Sequence, residues 1–303
     1  MRRPILPALL ASVLFLGACS NTAEEEPAPA PAPGGDGAMP SVEGEFGAEP
    51  TITYPDGDPS GELEVEVLED GDGAEVEPGD ILVADYIGQV WDADTFDNSF
   101  IRDEPATFPI GVGMVIKGWD DGLVGQKIGS RVMLSIPSEL GYAEGNPGAG
   151  IEPGDTIFFV VDIIDTYGVT DAGDPEAKVV DEAVAEMPVE IEGELGEPVT
   201  VSVKDDAPVP TEPVTTVLAE GNGAEVEPGT TALHFAIAVW DGQEGASTWE
   251  DEQVASMNLG DGSTPFDGLI GVPVGSRALI ELPAGGGAEP MAIVVDVIGQ
   301  PRR

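Results

Sequence analysis

The sequence has 303 residues, enough for about two ordinary domains. It carries 58 acidic and 11 basic residues, a formal net charge of −47, which argues against nucleic acid or an anionic lipid surface as a partner. Hydrophobic residues make up 41% of the chain, enough to form cores, and the 41 glycines and 28 prolines favour turn-rich β structure.

The first 19 residues have the pattern of an export signal. Two arginines precede a mostly apolar run, 5–15, that is too short to span a bilayer, for which about 20 residues are needed. The following Leu-Gly-Ala-Cys, 16–19, resembles the lipobox of bacterial lipoproteins, whose cysteine is acylated and becomes the mature N-terminus. Cys19 is also the only cysteine, which excludes an intramolecular disulfide. We expect residues 1–19 to be a lipoprotein signal peptide; an ordinary signal peptide with an incidental cysteine is the alternative.

Residues 20–38 are rich in Pro, Ala and Glu and contain little that could be buried. Such a composition predicts a disordered tether. Together with Cys19, it predicts an extracytoplasmic protein that is anchored to the cell membrane by lipid.

The heptapeptide GAEVEPG occurs at 73–79 and again at 223–229. The likeness extends upstream, where MPSVEGEFGAEPTITY matches MPVEIEGELGEPVTVS, and downstream, where GLVGQKIGSRVMLSIP matches GLIGVPVGSRALIELP. An order that persists over so long a stretch indicates a duplicated domain rather than a solenoid. We place the first repeat at 39–168 and the second at 187–300, joined by a linker, 169–186, whose segment DPEAKVVDEAVAE is expected to be a short charged helix.

The first repeat has mainly the patterns of β-strands. Alternating apolar and acidic residues, or apolar runs bounded by Gly, Pro and Asp, predict strands at 63–69, 81–91, 106–110, 130–137 and 156–166. Only 115–123 differs, because Ile116, Trp119 and Leu123 fall on one face of a short helix. The predicted fold class is mainly β (α+β): in each repeat, a curved antiparallel sheet wraps around one short helix.

The usual catalytic sets are missing from 39–168. Without Cys or His, thiol, imidazole and Ser-His-Asp chemistry and histidine-bound metals are excluded. What remains is a set of aromatic residues, any one of which, taken alone, is expected simply to belong to the core: Tyr86, Phe96, Phe108, Trp119, Tyr142 and Phe159.

The order of these residues and their surroundings suggest more. The stretch from YIGQVWDADTFDNSF through FPIGVGMVIKGWDDGLVGQKIGSRVMLSIPSELGY to IEPGDTIFFVVDI resembles the FKBP-type peptidyl-prolyl cis-trans isomerases over about 60–168. Its most specific parts are Tyr86 with Phe96-Asp97, the run Val-Ile-Lys-Gly-Trp at 115–119 and the Gly-Ser-Arg turn at 129–131.

The resemblance assigns roles to individual residues. It implies that Trp119 is the floor of a pocket whose polar rim is formed by Asp97 and Tyr142. It also implies that the Tyr142 hydroxyl and the backbone N–H of Ile116 bind substrate carbonyls. The pocket walls that it implies are Tyr86, Phe96, Phe108, Val115, Ile116, Ile151 and Phe159.

Isomerisation of an Xaa-Pro bond makes chemical sense of such a site. Rotation breaks amide resonance against a barrier of about 18–20 kcal/mol and requires neither a nucleophile nor a cofactor or metal. The planar amide is more polar than the twisted one, so a dry aromatic pocket withdraws the solvent that favours the planar form. The expected partners are exported polypeptides that contain Xaa-Pro bonds, and the resemblance adds macrolide inhibitors.

The pocket residues are largely replaced in the second repeat. We align Tyr86 with Phe235, Phe108 with Met257 and Phe159 with Ile293. The same alignment sets Phe96-Asp97 against Trp249-Glu250 and Trp119 against Pro265, and the loop that carries Tyr142 and Ile151 is missing. His234, the only histidine, is expected to be a solvent-facing strand residue. The second repeat is therefore predicted to be a degenerate, non-catalytic module.

Two functions of different classes follow. The leading one is a lipid-anchored prolyl isomerase; the alternative is a surface chaperone or binding lipoprotein that holds proline-containing or apolar segments. A solute-binding lipoprotein is disfavoured, because such proteins usually alternate strands and helices and this rhythm is missing here.

Overall fold

The computed structural model of the protein describes residues 37, 39–102, 105–242, 244–285 and 287–301. The predicted signal peptide, Cys19 and nearly all of the predicted tether lie outside these residues. The described residues belong to one compact unit. None of the helices found in them is long and apolar enough to cross a membrane.

The first repeat is an antiparallel sheet with a hairpin on its outer side. Its strands are β1 (Ser41–Glu43), β2 (Thr51–Thr53), β3 (Glu64–Glu69), β4 (Ile81–Val90), β5 (Thr95–Asn98), β6 (Ala106–Pro109), β7 (Arg131–Ile136) and β8 (Ile157–Tyr167). Strands β1 and β2 form the hairpin, the sheet has the order β3-β7-β8-β4-β5, and β6 also pairs with β4. Helix α1 (Lys117–Leu123) lies in the concave side, where Trp119 and Leu123 join the main core. The helix predicted at 115–123 is confirmed, with its start at Lys117.

The second repeat has the same plan with a changed sheet edge. The linker before it contributes β9 (Lys178–Val179) and α2 (Asp181–Glu186). The second repeat itself contains β10 (Val189–Glu192), β11 (Thr200–Val203), β12 (Val214–Glu220), β13 (Gly229–Val239), β14 (Glu244–Ser247), β15 (Ala255–Leu259), β16 (Arg277–Leu282) and β17 (Met291–Gly299). The sheet order is β14-β13-β17-β16-β12-β9, β15 pairs with β13, and β10 and β11 form a separate hairpin. A short 3-10 helix, Pro265–Leu269, lies in the place of α1. The predicted mainly β fold is confirmed.

The repeated GAEVEPG forms the same loop in both halves. The N–H of Val76 donates to the carbonyl of Gln126, and the N–H of Val226 donates to the carbonyl of Val272, at 2.8 and 2.9 Å. Both valines are buried. The loop begins with glycine because a Cβ on Gly73 would lie 2.7 Å from the Cβ of Ile128. The repeated sequence therefore has a structural role, because it holds the same loop against the rest of the fold in both repeats.

A buried ion pair fixes the hairpin of the first repeat to the sheet. The Arg131 guanidinium donates to both carboxylate oxygens of Asp162, at 2.5 and 2.7 Å, and to the carbonyls of Gly44 and Ala48 in the hairpin turn. The N–H of Gly47 donates back to Asp162 at 2.7 Å. We call this arrangement the hairpin clamp.

The second repeat contains the same clamp. Arg277 donates to both carboxylate oxygens of Asp296, and its remaining donors reach the carbonyls of Glu194 and Glu197 in the second hairpin turn. The upstream part of the sequence repeat is thus explained by a shared hairpin and its clamp.

The two repeats pack against each other. Ile81, Val83 and Tyr167 of the first repeat form a buried cluster with Ala232 and Val254 of the second. Gly299 must lack a side chain here, because a Cβ would lie 2.1 Å from a ring carbon of Tyr167.

The linker between the repeats is helical only in its last part. A helix was predicted over 174–186, but α2 begins at Asp181, and Lys178–Val179 form strand β9, which pairs with β12. The β-branched Val179 and Val180 favour the extended backbone, and the edge of β12 supplies partners for it.

Candidate active site

Helix α1 places Trp119 at the centre of a group of aromatic rings in the concave side of the first sheet. The Trp119 ring lies 5.3 Å from Tyr86, 5.1 Å from Phe108 and 5.3 Å from Phe159, measured between ring centroids, and each pair meets edge to face. Phe96 meets Phe159 in the same way at 5.6 Å. Only 4% of Trp119 is exposed. This edge-to-face geometry fixes the positions of the rings and keeps water away from Trp119.

The rings surround an open cavity of about 620 Å³. Nine of the ten predicted pocket residues line it: Tyr86, Phe96, Asp97, Phe108, Val115, Ile116, Trp119, Tyr142 and Phe159. Ile151 is buried in the adjoining core and does not line the cavity. Met114, Lys117 and Gly141 also line the cavity and were not predicted.

The polar rim contains a residue that the sequence analysis missed. The Tyr86 hydroxyl donates to one oxygen of Asp97, and Arg102 donates to the other at 2.5 Å and to the Tyr86 oxygen at 3.2 Å. Arg102 follows Asp97 by one short turn in a chain with few basic residues, and this scarcity was the signal that could have identified it.

The rim holds its charges in fixed states. Burial, and then the hydrogen bond to Asp97, raise the pKa of Tyr86 to about 12, so its hydroxyl remains a donor. Burial pushes the pKa of Asp97 upward, but the hydrogen bonds from Tyr86 and Arg102 outweigh it and hold the pKa below its ordinary value. Burial also raises the pKa of Tyr142. The rim therefore presents neutral phenols beside an ionised carboxylate.

One backbone donor beside the cavity is unused. Ile116 is the extended residue before α1, and its N–H donates to no acceptor among the described residues. The preceding loop is held by Asp120, which accepts the N–H groups of Gly111 and Gly113 at 2.6 and 2.9 Å. The Ile116 N–H is thus fixed in place and available to a ligand carbonyl.

Comparison with known proteins agrees with this geometry. The sequence profile of the FKBP-type peptidyl-prolyl cis-trans isomerases matches residues 73–164. The chain is 37% identical over 117 residues to an FK506-binding protein of Streptomyces anulatus, covering 38% of this chain and 94% of that protein. The chain belongs to the FKBP-type peptidyl-prolyl cis-trans isomerase family.

Two further proteins are similar to part of the chain. An FK506-binding protein of Neisseria meningitidis serogroup C is 40% identical over 107 residues, which is 35% of this chain and 98% of that protein. The solved structure of FkpA from Escherichia coli is 40% identical and covers 34% of this chain and 47% of that chain, with a TM-score of 0.31. All ten predicted pocket residues fall within the FKBP-type profile match.

The second repeat has a different aromatic ring in the place of Trp119. Asp120 and Asp267 accept equivalent N–H groups, from Gly111 and Gly260, so Trp119 corresponds to the residue before Asp267. That residue is Phe266, and the expectation that Pro265 replaces Trp119 was wrong. Phe266 is buried and its ring lies 5.5 Å from that of Phe235, close to the 5.3 Å between Trp119 and Tyr86. The alignment failed because Leu123 follows Trp119 by four residues, whereas Leu269 follows Phe266 by three.

The expected pairing of Phe96-Asp97 with Trp249-Glu250 was also wrong. The N–H of Ser99 donates to the carbonyl of Tyr86, and the N–H of Thr248 donates to that of Phe235, so Ser99 corresponds to Thr248. The true counterparts of Phe96 and Asp97 are Gly245 and Ala246, which provide neither ring nor carboxylate. The strand register is the same in both repeats, because Gln89 lies opposite Thr95 as Ala238 lies opposite Glu244; the alignment had matched Trp249 to Phe96 only because both are aromatic.

His234 does not face solvent, contrary to prediction. It is fully buried, its ring stacks on Trp249 at 5.2 Å, and its Nδ1 lies 2.8 Å from the Thr248 hydroxyl. Its Nε2 lies 3.4 Å from the carbonyl of Gly168, the last residue of the first repeat before the linker. The outer side of this strand is covered by the linker, which a pattern of alternating residues cannot reveal. The described residues contain no cluster of three His, Cys, Asp or Glu suited to a metal.

Proposed function

We propose that the first repeat catalyses cis–trans isomerisation of Xaa-Pro bonds in exported polypeptides. The observation that carries this proposal is the aromatic cavity, with buried Trp119 as its floor and the Tyr86 hydroxyl held neutral at its rim. The proline ring enters the cavity and loses most of its hydration there.

The cavity residues account for a lower rotation barrier. The planar amide loses favourable hydration in the cavity, while the twisted amide, which has a less polar carbonyl, loses less. The Ile116 N–H binds a carbonyl next to the proline and holds the chain while the bond turns. Because binding is stronger for the twisted state, the barrier of about 18–20 kcal/mol falls without a covalent intermediate.

We further propose that the protein works outside the cytoplasmic membrane, anchored through acylated Cys19. The lipobox-like Leu-Gly-Ala-Cys and the Pro- and Ala-rich stretch after it support this. We also propose that a macrolide such as FK506 occupies the same cavity and competes with substrate, which is supported by relatives named FK506-binding proteins.

The full chain tests the catalytic proposal when it is mixed with an Xaa-Pro peptide whose cis-to-trans rate is followed optically. We expect Trp119→Ala to remove most of the acceleration, because the cavity loses its floor. Phe266→Ala is the matched control, since it truncates the corresponding buried ring of the second repeat and leaves the cavity intact. Circular dichroism verifies that both variants fold. Equal loss in both variants, or no acceleration by the parent chain, would contradict the proposal.

Anchoring is tested separately by expressing the full gene in a bacterium and separating membrane from soluble fractions. We expect Cys19→Ala to move the protein out of the membrane fraction and to abolish incorporation of labelled fatty acid. Unchanged membrane association of this variant would show that the cysteine is not the anchor.

A further inference from the structure

Strand β3 leaves an apolar and acidic edge of the first sheet exposed. It pairs with β7 on one side, and among the described residues no strand pairs with its other side. Three of its apolar side chains are exposed: Val65 by 38%, Val67 by 41% and Leu68 by 37%. A free strand edge of this kind is a template for pairing with another extended segment.

The same edge in the second repeat shows what covers it. A bulge separates Val67 from Glu69 in β3 and Val217 from Ala219 in β12, so Leu68 corresponds to Leu218. Leu218 is only 3% exposed. Identical side chains at equivalent positions thus differ in burial, and the difference comes from the linker.

The linker covers β12 by strand pairing followed by a short helix. Val179 lies opposite Ala219, and Lys178 lies opposite Glu220. The N–H of Val180 then donates to the carbonyl of Leu218 at 2.9 Å, and Ala183, Val184 and Met187 pack on the cluster that contains Leu218. A basic residue beside an apolar one in an extended backbone is therefore the cover that this fold uses.

We infer that the β3 edge binds an extended, basic and apolar segment of a partner polypeptide by strand addition. Within LEVEVLEDGD, 63–72, four carboxylates are exposed beside the apolar side chains, namely Glu66, Glu69, Asp70 and Asp72. Lys127, 3.6 Å from Asp70, offsets only part of this charge. A second copy of β3 would bring glutamates against glutamates, which opposes self-pairing. Residues 27–36, which precede the first hairpin as the linker precedes the second, contain no Val, Leu, Ile or Met to cover Leu68.

The inference is tested on the full chain with the labelled peptide KVKVKVK, which contains no proline. It therefore reports on the edge whether or not the cavity is an isomerase. Fluorescence anisotropy at low salt is expected to give saturable binding that weakens as salt screens the charges. The peptide EVEVEVE should bind at least tenfold more weakly, and KVKVKVK with its edge-facing amides N-methylated should lose binding.

Matched variants locate the site. Glu66→Lys should weaken binding at least tenfold, whereas Glu190→Lys, the same charge change on an exposed residue of β10, should leave it within about twofold. Hydrogen exchange of the parent chain should slow at the amides of 64–69 when the peptide is added, a readout that needs no variant. Each of four results would overturn the inference. The first two are absence of saturable binding and equal weakening by both variants. The others are undiminished binding of the methylated peptide, and exchange at 64–69 that slows with protein concentration in the absence of peptide.

Discussion

Replacing Arg131 with Met should destabilise the first repeat strongly, because the hairpin clamp is buried. The side chains of Arg131 and Asp162 are 2% and 0% exposed, so the substitution leaves a carboxylate in the interior without its partner. It also removes the donors to the carbonyls of Gly44 and Ala48. Breaking one side of such a pair typically costs about 3–5 kcal/mol. For a folded unit of this size this corresponds to roughly 6–20 °C in Tm.

The double variant Arg131→Met, Asp162→Leu distinguishes two contributions to the loss of stability: the missing ion pair and the buried Asp162 charge that is left without a partner. Apolar residues in place of a buried pair are often neutral, so the double variant should recover at least half of the stability that the single variant loses. Burial already raises the pKa of Asp162 despite Arg131. In the single variant the folded carboxyl takes up a proton more readily than the unfolded one, so the loss of stability should shrink as the pH falls toward the ordinary carboxyl pKa of about 4.

Urea unfolding followed by tryptophan fluorescence measures these free energies, and the isomerisation rate is recorded in parallel. We expect the rate of folded Arg131→Met at 25 °C to stay near that of the parent, because the clamp and the cavity lie on opposite sides of the sheet. The reasoning is refuted if the single variant loses less than about 1 kcal/mol, the range of a surface pair.

Further outcomes follow from the cavity and the repeated loop. Isomerase activity should be constant between about pH 5 and pH 9, because the pKa of Asp97 lies below its ordinary value and that of Tyr86 is raised to about 12; a bell-shaped profile would contradict this. The stabilisation that Asp97 provides is present above the ordinary carboxyl pKa and is lost as pH falls through its lowered pKa, which acid titration of stability checks. Tyr86→Phe should reduce kcat/KM about fivefold, because the hydrogen bond that it removes is worth only about 1 kcal/mol when its acceptor, Asp97, is partly exposed. The same substitution should raise the pKa of Asp97, which an NMR titration measures. Gly73→Ala should destabilise by about 1–3 kcal/mol in thermal unfolding, because its Cβ would lie 2.7 Å from that of Ile128, whereas Gly148→Ala, whose Cβ would lie 3.4 Å from its nearest neighbour, should have little effect.

Much of the first repeat could be predicted from its sequence. Alternation and glycine boundaries located five of its eight described strands, and the spacing of Trp119 and Leu123 located α1, because local periodicity reports which face is buried. Strands β1, β2 and β5 have only three or four residues each, too few for a periodic pattern, and were not predicted. The cavity lining followed from the resemblance to the family. Ile151 is the exception: its burial was apparent, but whether a buried side chain reaches a cavity depends on loop geometry.

Features set by contacts between distant segments could not be predicted. Arg102 belongs to the rim through hydrogen bonds to two other elements, which no local periodicity reveals; only the scarcity of basic residues could have drawn attention to it. His234 is buried under residues distant in sequence, since its ring contacts the carbonyl of Gly168 and stacks on Trp249. The errors over Phe266 and Gly245 arose because the two repeats were aligned by similar residue types, whereas equivalent hydrogen bonds define the true correspondence.

The hairpin clamps and the cavity draw on different faces of the same strands. In β8, Phe159 and Val161 point into the concave core, while Phe158 and Val160 point to the hairpin. The second repeat keeps Arg277 and Asp296 on the outer side, while a hydrophobic core that contains Phe266 lies on its concave side. The clamp and the interior are therefore specified by different residues of the same strands, so the interior can differ between the two repeats while the hairpin stays attached in both.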